Sequence, residues 1–275
     1  MTRQEYALLD VFTDAKFGGN QLAVFRDGSA VPEGAMQSIA KELNLPETVF
    51  VMPPVSGGDH LLRIFTPARE LPFAGHPTVG AGFFLSGGKD ATLRLEEKVG
   101  VLAVTVKGGF SEMEQPLPTF RGGPIRGVVA PQIALELADL EPSPPIEIGS
   151  SGNEFTFVPV RNLDAARRAA PRGLADAVFL FTRETVTPGA TVHGRMFAGW
   201  QGVSEDPATG SACGPLGAYL VRHGLADGER IIVEQGYEMG RPSTLYVRIG
   251  GTRESITSVH VGGRAVVTGG GWVDA

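Results

Sequence analysis

Apolar residues in this chain fall in short runs rich in Val, Phe, Leu and Thr, separated by glycine and proline, a pattern that predicts many strands joined by tight turns. YALLDVF, NQLAVF, TVFVM and HLLRIF read as strands, and TLRLE followed by GVLAVTV reads as a hairpin. Helical spacing is rarer. Over about 32–43, Ala35, Met36, Ile39, Ala40 and Leu43 recur on one face, with Pro32 suited to the first turn. PTVGAGFFLSGG predicts a second helix, stopped at Gly87 and Gly88. The Pro/Gly stretch QPLPTFRGGP, 115–124, is the best linker candidate. Beyond it the pattern predicts a proline-started helix over PQIALELADL, strands over FTFVPV and VFLFT, the segment RMFAGW and a second glycine-rich strand-to-helix junction.

The two halves therefore run through the same order of elements. ELPFAGHPTVGAGFFL and EDPATGSACGPLGAYL align without a gap at Glu70/Glu205, Pro72/Pro207, Gly75/Gly210, Gly82/Gly217 and Leu85/Leu220. Upstream, Arg63 and Phe65 face Arg195 and Phe197 after a three-residue slip. The repeat implies an ancient duplication, with His76 and Ser211 in equivalent places.

Composition adds limits rather than identity. A chain of 275 residues with 42% apolar content has ample material for a core. Its net charge of −6 is spread without a basic block, so a nucleic-acid partner is not expected. Neither an apolar leader nor a bilayer-length run occurs, so no membrane association and, by default, a cytoplasmic location are expected. Cys213, the single cysteine, excludes an internal disulfide, a cysteine-based zinc cluster and chemistry that needs two thiols from one chain. Inside a helix it reads as a small buried residue.

The two junctions carry the candidate chemistry. A helix start has unpaired amides and the positive end of the dipole, and Gly75 and Gly210 let the backbone approach a ligand closely. Such starts suit a small carboxylate. The competing reading makes each glycine a tight turn, Ser211 an N-cap and His76 a satisfied polar residue. LSGGKD lacks the first glycine and final hydroxyl of a phosphate-binding loop, GSACG is not a nucleophile elbow, and no HExxH, metal loop or GxGxxG after the first strand occurs. No metal and no cofactor are expected.

GGNQLAVF, NLPETVFV, RIFTPARELPFAGHPTVGA, EDPATGSACGPLGAYL and EQGYEMGRPSTLYV, in this order, resemble the phenazine-biosynthesis PhzF-like family along nearly the whole chain. The resemblance implies an α+β fold like that of diaminopimelate epimerase: two pseudo-symmetric lobes, each a curled, mainly antiparallel sheet around a central helix, with the active site between them. The expected division is 1–117, completed by C-terminal strands over 258–275, and 118–257. A homodimer is also implied.

In the phenazine enzyme the reaction is an isomerisation in which a glutamate moves a proton. The resemblance assigns that role to Glu47 of NLPET, places His76 and Asp206 beside it as catalytic residues, and gives substrate binding to Gly75, Gly210 and Ser211. The residues around Glu47 are compatible: Leu45 and Pro46 precede it and Val49, Phe50 and Val51 follow, a setting at the rim of a core where lost water raises a carboxylate's pKa. The resemblance thus implies a cofactor-independent isomerase of a small carboxylic acid in secondary-metabolite biosynthesis. The alternatives are an epimerase of the same fold or a non-catalytic carboxylate-binding protein. Paired-cysteine racemisation is disfavoured, because the aligned positions hold no cysteine pair.

Overall fold

The computed structural model describes residues 3–198 and 204–275. Its internal contacts divide the chain into two units, Met1–Glu114 with Gly262–Ala275, and Gln115–Val261.

The first unit contains β1 (Arg3–Val11), β2 (Asn20–Phe25), α1 (Glu33–Leu43), β3 (Glu47–Met52), β4 (His60–Phe65), β5 (Glu70–Leu71), α2 (Gly75–Ser86), β6 (Ala91–Glu97), β7 (Gly100–Lys107) and β8 (Phe110–Gln115). The second contains β9 (Thr119–Gly122), α3 (Arg126–Gln132), β10 (Glu147–Ser150), β11 (Glu154–Pro159), α4 (Leu163–Arg168), β12 (Val178–Thr182), β13 (Val192–Phe197), α5 (Gly210–Arg222), β14 (Ile231–Gln235) and β15 (Ser243–Gly251). The long β16 (Ile256–Asp274) starts in the second unit and ends in the first.

In the first unit the strands pair in the order β1-β2-β3-β4-β6-β7-β8-β16, and β16 returns to β1, so the sheet closes. The pairs β2/β3 and β4/β6 are parallel. In the second unit the order is β9-β10-β11-β12-β13-β14-β15, with β11/β12 and β13/β14 parallel. Parallel neighbours need a crossover, which α1 and α4 supply for β2/β3 and β11/β12, and α2 and α5 for β4/β6 and β13/β14, in corresponding places.

Each sheet is wound around one helix. Strands β1, β2, β3, β6 and β7 pack on α2, while β10, β11 and β15 pack on α5. Every residue from Gly75 to Gly82 is buried, and so is every residue from Gly210 to Val221, as befits a helix with no solvent face. Glycine permits the close approach. A Cβ on Gly82 would lie 2.5 Å from Val104 Cγ1 of β7, and one on the repeat-equivalent Gly217 would lie 2.6 Å from Val247 Cγ1 of β15. By contrast α1 buries only Met36, Ile39 and Ala40, and stops at Asn44 in the left-handed region at φ 49°.

The duplicated Arg and Glu residues form the same fork twice. Arg63 meets Glu70 through Nε–Oε1 at 2.9 Å and Nη2–Oε2 at 3.2 Å. Arg195 meets Glu205 at 2.8 Å in both contacts. The guanidinium carbons lie 5.2 Å and 4.9 Å from the rings of Phe65 and Phe197. Beside the forks, Ile64 pairs with Leu71 and Met196 with Asp206, so the register repeats as well. Each fork ties the strand before the junction to the residues that lead into the central helix.

A second ionic group lies in the second unit. His193 is fully buried, with Nδ1 2.9 Å from Glu234 Oε1 and Nε2 3.1 Å from Glu238 Oε1. Burial pulls its pKa down, but the two carboxylates outweigh burial and hold it at about 9. Its folded pKa lies above the ordinary 6.5, so this ion pairing contributes stability in full below pH 6.5 and loses it as pH rises through about 9.

Two sequence expectations require correction. The helix expected over PQIALELADL is displaced: α3 ends at Gln132 with Pro131 in its last turn, and Ala134 turns the chain at φ 58°. Arg126 anchors the start of α3 by donating to the carbonyls of Glu141, Pro142 and Pro144, while Ile133, Leu135 and Leu140 reach the core from irregular chain. The proposed linker is not free chain, because β9 within it pairs with β10. The segment RMFAGW is a strand as far as Phe197, and its Gly199 and Trp200 lie outside the described residues.

Arg195 also donates to the carbonyls of Ala166, Arg167 and Ala169, and its side chain is only 7% exposed, against 21% for Arg63. Arg195→Ala therefore strands a buried carboxylate and is expected to cost about 3 kcal/mol or more in urea unfolding. Arg63→Ala is expected to cost about 1 kcal/mol. Equal losses would refute this ranking.

Candidate active site

Glu47 opens β3 beside Leu22 of the parallel strand β2. Gly75 and His76 open α2, whose N-cap, Ala74, has extended backbone and makes no side-chain cap. These elements bring the two ionisable groups together: His76 Nδ1 lies 3.3 Å from Glu47 Oε2. The other ring nitrogen, Nε2, lies 3.2 Å from the carbonyl oxygen of Gln21. A carbonyl can only accept, so Nε2 carries the hydrogen and Nδ1 presents its lone pair to Glu47.

His76 is 3% exposed. Burial pushes its pKa down to about 3, and the bond to Gln21 recovers only part of the loss, so the ring is neutral near pH 7. The Glu47–His76 contact is therefore not an ion pair at neutral pH. Glu47 is 14% exposed, so its carboxyl combines a dry side against the imidazole with access to solvent.

The second junction is built differently. The Asp206 amide donates to the Met196 carbonyl at 3.0 Å, and Asp206 Oδ2 accepts from the Thr209 hydroxyl at 2.6 Å. Gln235 of β14 binds both ends of this turn, donating to the Asp206 carbonyl at 2.6 Å and accepting from the Thr209 amide at 3.0 Å. Thr209 is the N-cap, which corrects the reading of Ser211 in that role; Gly210 and Ser211 are buried in the first turn of α5. Cys213 is fully buried, and burial together with the nearby Asp206 charge pushes its thiol well above the ordinary range.

The structure thus gathers Glu47, Gly75 and His76 in the first unit and Asp206, Gly210 and Ser211 in the second. Sequence reasoning missed Gln21 as the partner of His76, and Thr209 and Gln235 as the frame of Asp206. A glutamine closing the short run IIVEQ was the available signal, since a buried amide must find partners. Among the described residues no group of three or more His, Cys, Asp or Glu could hold a metal ion, and no helix is long and apolar enough to cross a membrane.

Residues 9–271 match the family model described as phenazine biosynthesis-like protein, PhzC-PhzF. The chain belongs to this family. Among the family's members, the trans-2,3-dihydro-3-hydroxyanthranilate isomerase of Pseudomonas fluorescens is 38% identical over 98% of both chains. The protein of the same name from Pseudomonas aeruginosa is 36% identical over 94% of this chain and 95% of its own. The crystal structure of a PhzF-family phenazine biosynthesis protein from Bacillus anthracis covers both chains fully, with a TM-score of 0.92 and 30% identity. A hydroxyproline epimerase from Agrobacterium vitis shares the fold at 12% identity, with a TM-score of 0.66 over 98% of this chain and 92% of its own. Like its family relatives, this chain is an isomerase.

His76 is expected to keep the nitrogen shift pattern of a neutral, Nε2-protonated ring between pH 5 and 8 in ¹⁵N NMR, with no ring-protonation step, because its pKa lies at about 3. A titration near pH 6.5 would contradict the geometry. Cys213 is expected to resist a thiol reagent in the native protein and to react once in urea; prompt native labelling would show it to be accessible.

Proposed function

We propose that this family isomerase moves a proton between two carbons of a small unsaturated carboxylic acid, with Glu47 both taking and returning it. The observation that carries this reading is the contact between Glu47 and the buried, neutral imidazole of His76. With the Nε2 hydrogen committed to Gln21, Nδ1 and a carboxylate oxygen face each other with lone pairs unless a proton stands between them. Binding a substrate over Glu47 removes more water and favours the protonated carboxyl. One group can then serve as base in the first step and acid in the second.

The chemistry balances without a redox partner or cofactor. Glu47 removes a proton from carbon, the electron pair spreads into the adjoining double bond and carboxylate, and the protonated Glu47, after exchange with solvent through its exposed edge, delivers a proton to another carbon with the double bond shifted. His76 stays neutral and orients the Glu47 proton. The first amides of α2, from Gly75 onward, take the developing negative charge of the substrate. The relatives named for trans-2,3-dihydro-3-hydroxyanthranilate favour a ring-bearing amino or hydroxy acid as the substrate class.

The test is proton NMR in D₂O of wild type and Glu47→Gln with dihydro-hydroxyanthranilic acid and a panel of small unsaturated and amino carboxylates. Wild type is expected to move a double bond and incorporate solvent deuterium, and the variant to be slower by about a hundredfold or more. Equal rates would remove Glu47 from the mechanism. Inversion at carbon without double-bond movement would make the chain an epimerase, and saturable binding with no exchange would leave a binding protein.

A further inference from the structure

Glu97, at the end of β6, is a buried acid that this mechanism does not use; its residue is 6% exposed. Its Oε1 makes a short contact with the Thr78 hydroxyl, and that hydroxyl lies 2.6 Å from the Ala74 carbonyl oxygen. Both partners belong to the opening turn of α2, whose own N-cap side chain caps nothing.

The protons in this group can be assigned. A hydroxyl has one hydrogen, and a carbonyl can only accept, so Thr78 donates to Ala74 and its oxygen is left to accept. The short contact is then satisfied only when Glu97 itself carries a hydrogen. The result is a relay: Glu97 O–H to Thr78, and Thr78 O–H to the Ala74 carbonyl. Gly75 and His76 lie inside the turn this relay spans.

We propose that Glu97 is a positioning residue: as a neutral carboxylic acid it completes the relay across the first turn of α2 and holds His76 against Gln21 and Glu47, and its ionisation breaks the relay. An ionised Glu97 would draw the Thr78 hydrogen to itself and leave the Ala74 carbonyl without it. The consequence for turnover rests on the proposed role of Glu47 and His76, whereas the consequence for His76 itself does not.

The surroundings favour the neutral form. Burial raises the Glu97 pKa to about 8, against the opposing pull of Thr78 and Ala74. On the elements packed around α2, Arg3, Glu5, Arg94 and Lys107 are exposed, and Tyr6 is half-buried. Glu96 accepts from the amides of Val55, Ser56 and Gly58, and Lys98, which follows β6, pairs with Glu70. The inward groups are neutral His76 and the acids Asp10 and Glu47. The folded pKa lies above the ordinary 4.5, so the native state keeps a proton that the unfolded chain releases. This group's contribution to stability therefore declines from about pH 4.5 to about pH 8 and is level above that.

The experiment follows the His76 imidazole by ¹⁵N NMR from pH 6 to 9.5 in wild type, Glu97→Gln and Glu97→Leu, with thermal unfolding across the same range and turnover of any acid found active. In wild type the His76 shifts are expected to move with a midpoint near pH 8, and turnover to fall with the same midpoint. Glu97→Gln, which keeps a donor but cannot ionise, is expected to abolish both transitions, and its unfolding midpoint should rise relative to wild type as pH increases from 6 to 8. Glu97→Leu should lower kcat about tenfold or more at pH 7 with a smaller change in KM. A His76 transition that persists in Glu97→Gln, or none in wild type, overturns the proposal. If the transition is present and Glu97-dependent but no acid is turned over by wild type, the positioning stands and it is the proposed reaction that fails.

Discussion

Both units enclose a helix on every side, and an enclosed helix must find partners for the polar groups of its first turn within the fold, because water does not reach them. The two units meet this demand with different residues. In the first, Glu97 and Thr78 answer Ala74. In the second, Gln235 and Asp206 answer Thr209. Around each junction the Arg–Glu fork fixes the approach of the chain, and it does so with the same residues and register in both. The shared part of the duplication is thus the mechanical frame. What has diverged is the chemistry that frame presents.

Much of the frame was legible because it rests on short-range rules. Strands bounded by glycine and proline, the face of α1 and the stop at Gly87 follow from local spacing and backbone geometry. The α+β fold with a central helix in each half followed from the internal match and the family motifs. PQIALELADL misled because Ile133, Leu137 and Leu140 are apolar at i, i+4 and i+7, whereas the chain leaves Leu137 exposed and buries Ile133, Leu135 and Leu140 beside α3. The helical direction there is set by Arg126, which draws on carbonyls up to 18 residues away. No local window contains that information.

The site divides along the same line. Glu47 and His76 could be named from motifs, but their electrostatic state could not, since it depends on partners brought in by folding. Gln21 lies 55 residues from His76, Glu97 lies 19 from Thr78, and Gln235 lies 26 from Thr209. Two histidines show how completely such partners decide behaviour. His76, buried against a carbonyl, is held neutral, while His193, buried between two carboxylates, is held charged well above neutral pH. Residue type alone predicts neither.

The closure of the first sheet has a consequence for how the protein is made. Strand β1 pairs along its length with the final part of β16, from Arg3 opposite Asp274 to Val11 opposite Ala265. During synthesis the second unit emerges whole before that last strand leaves the ribosome. The first unit, although translated first, must wait with one edge of β1 open. An open strand edge is where a nascent chain is most exposed to wrong pairing. Order of synthesis and order of completion are therefore reversed for these two units, and the first depends on β16 to close its sheet.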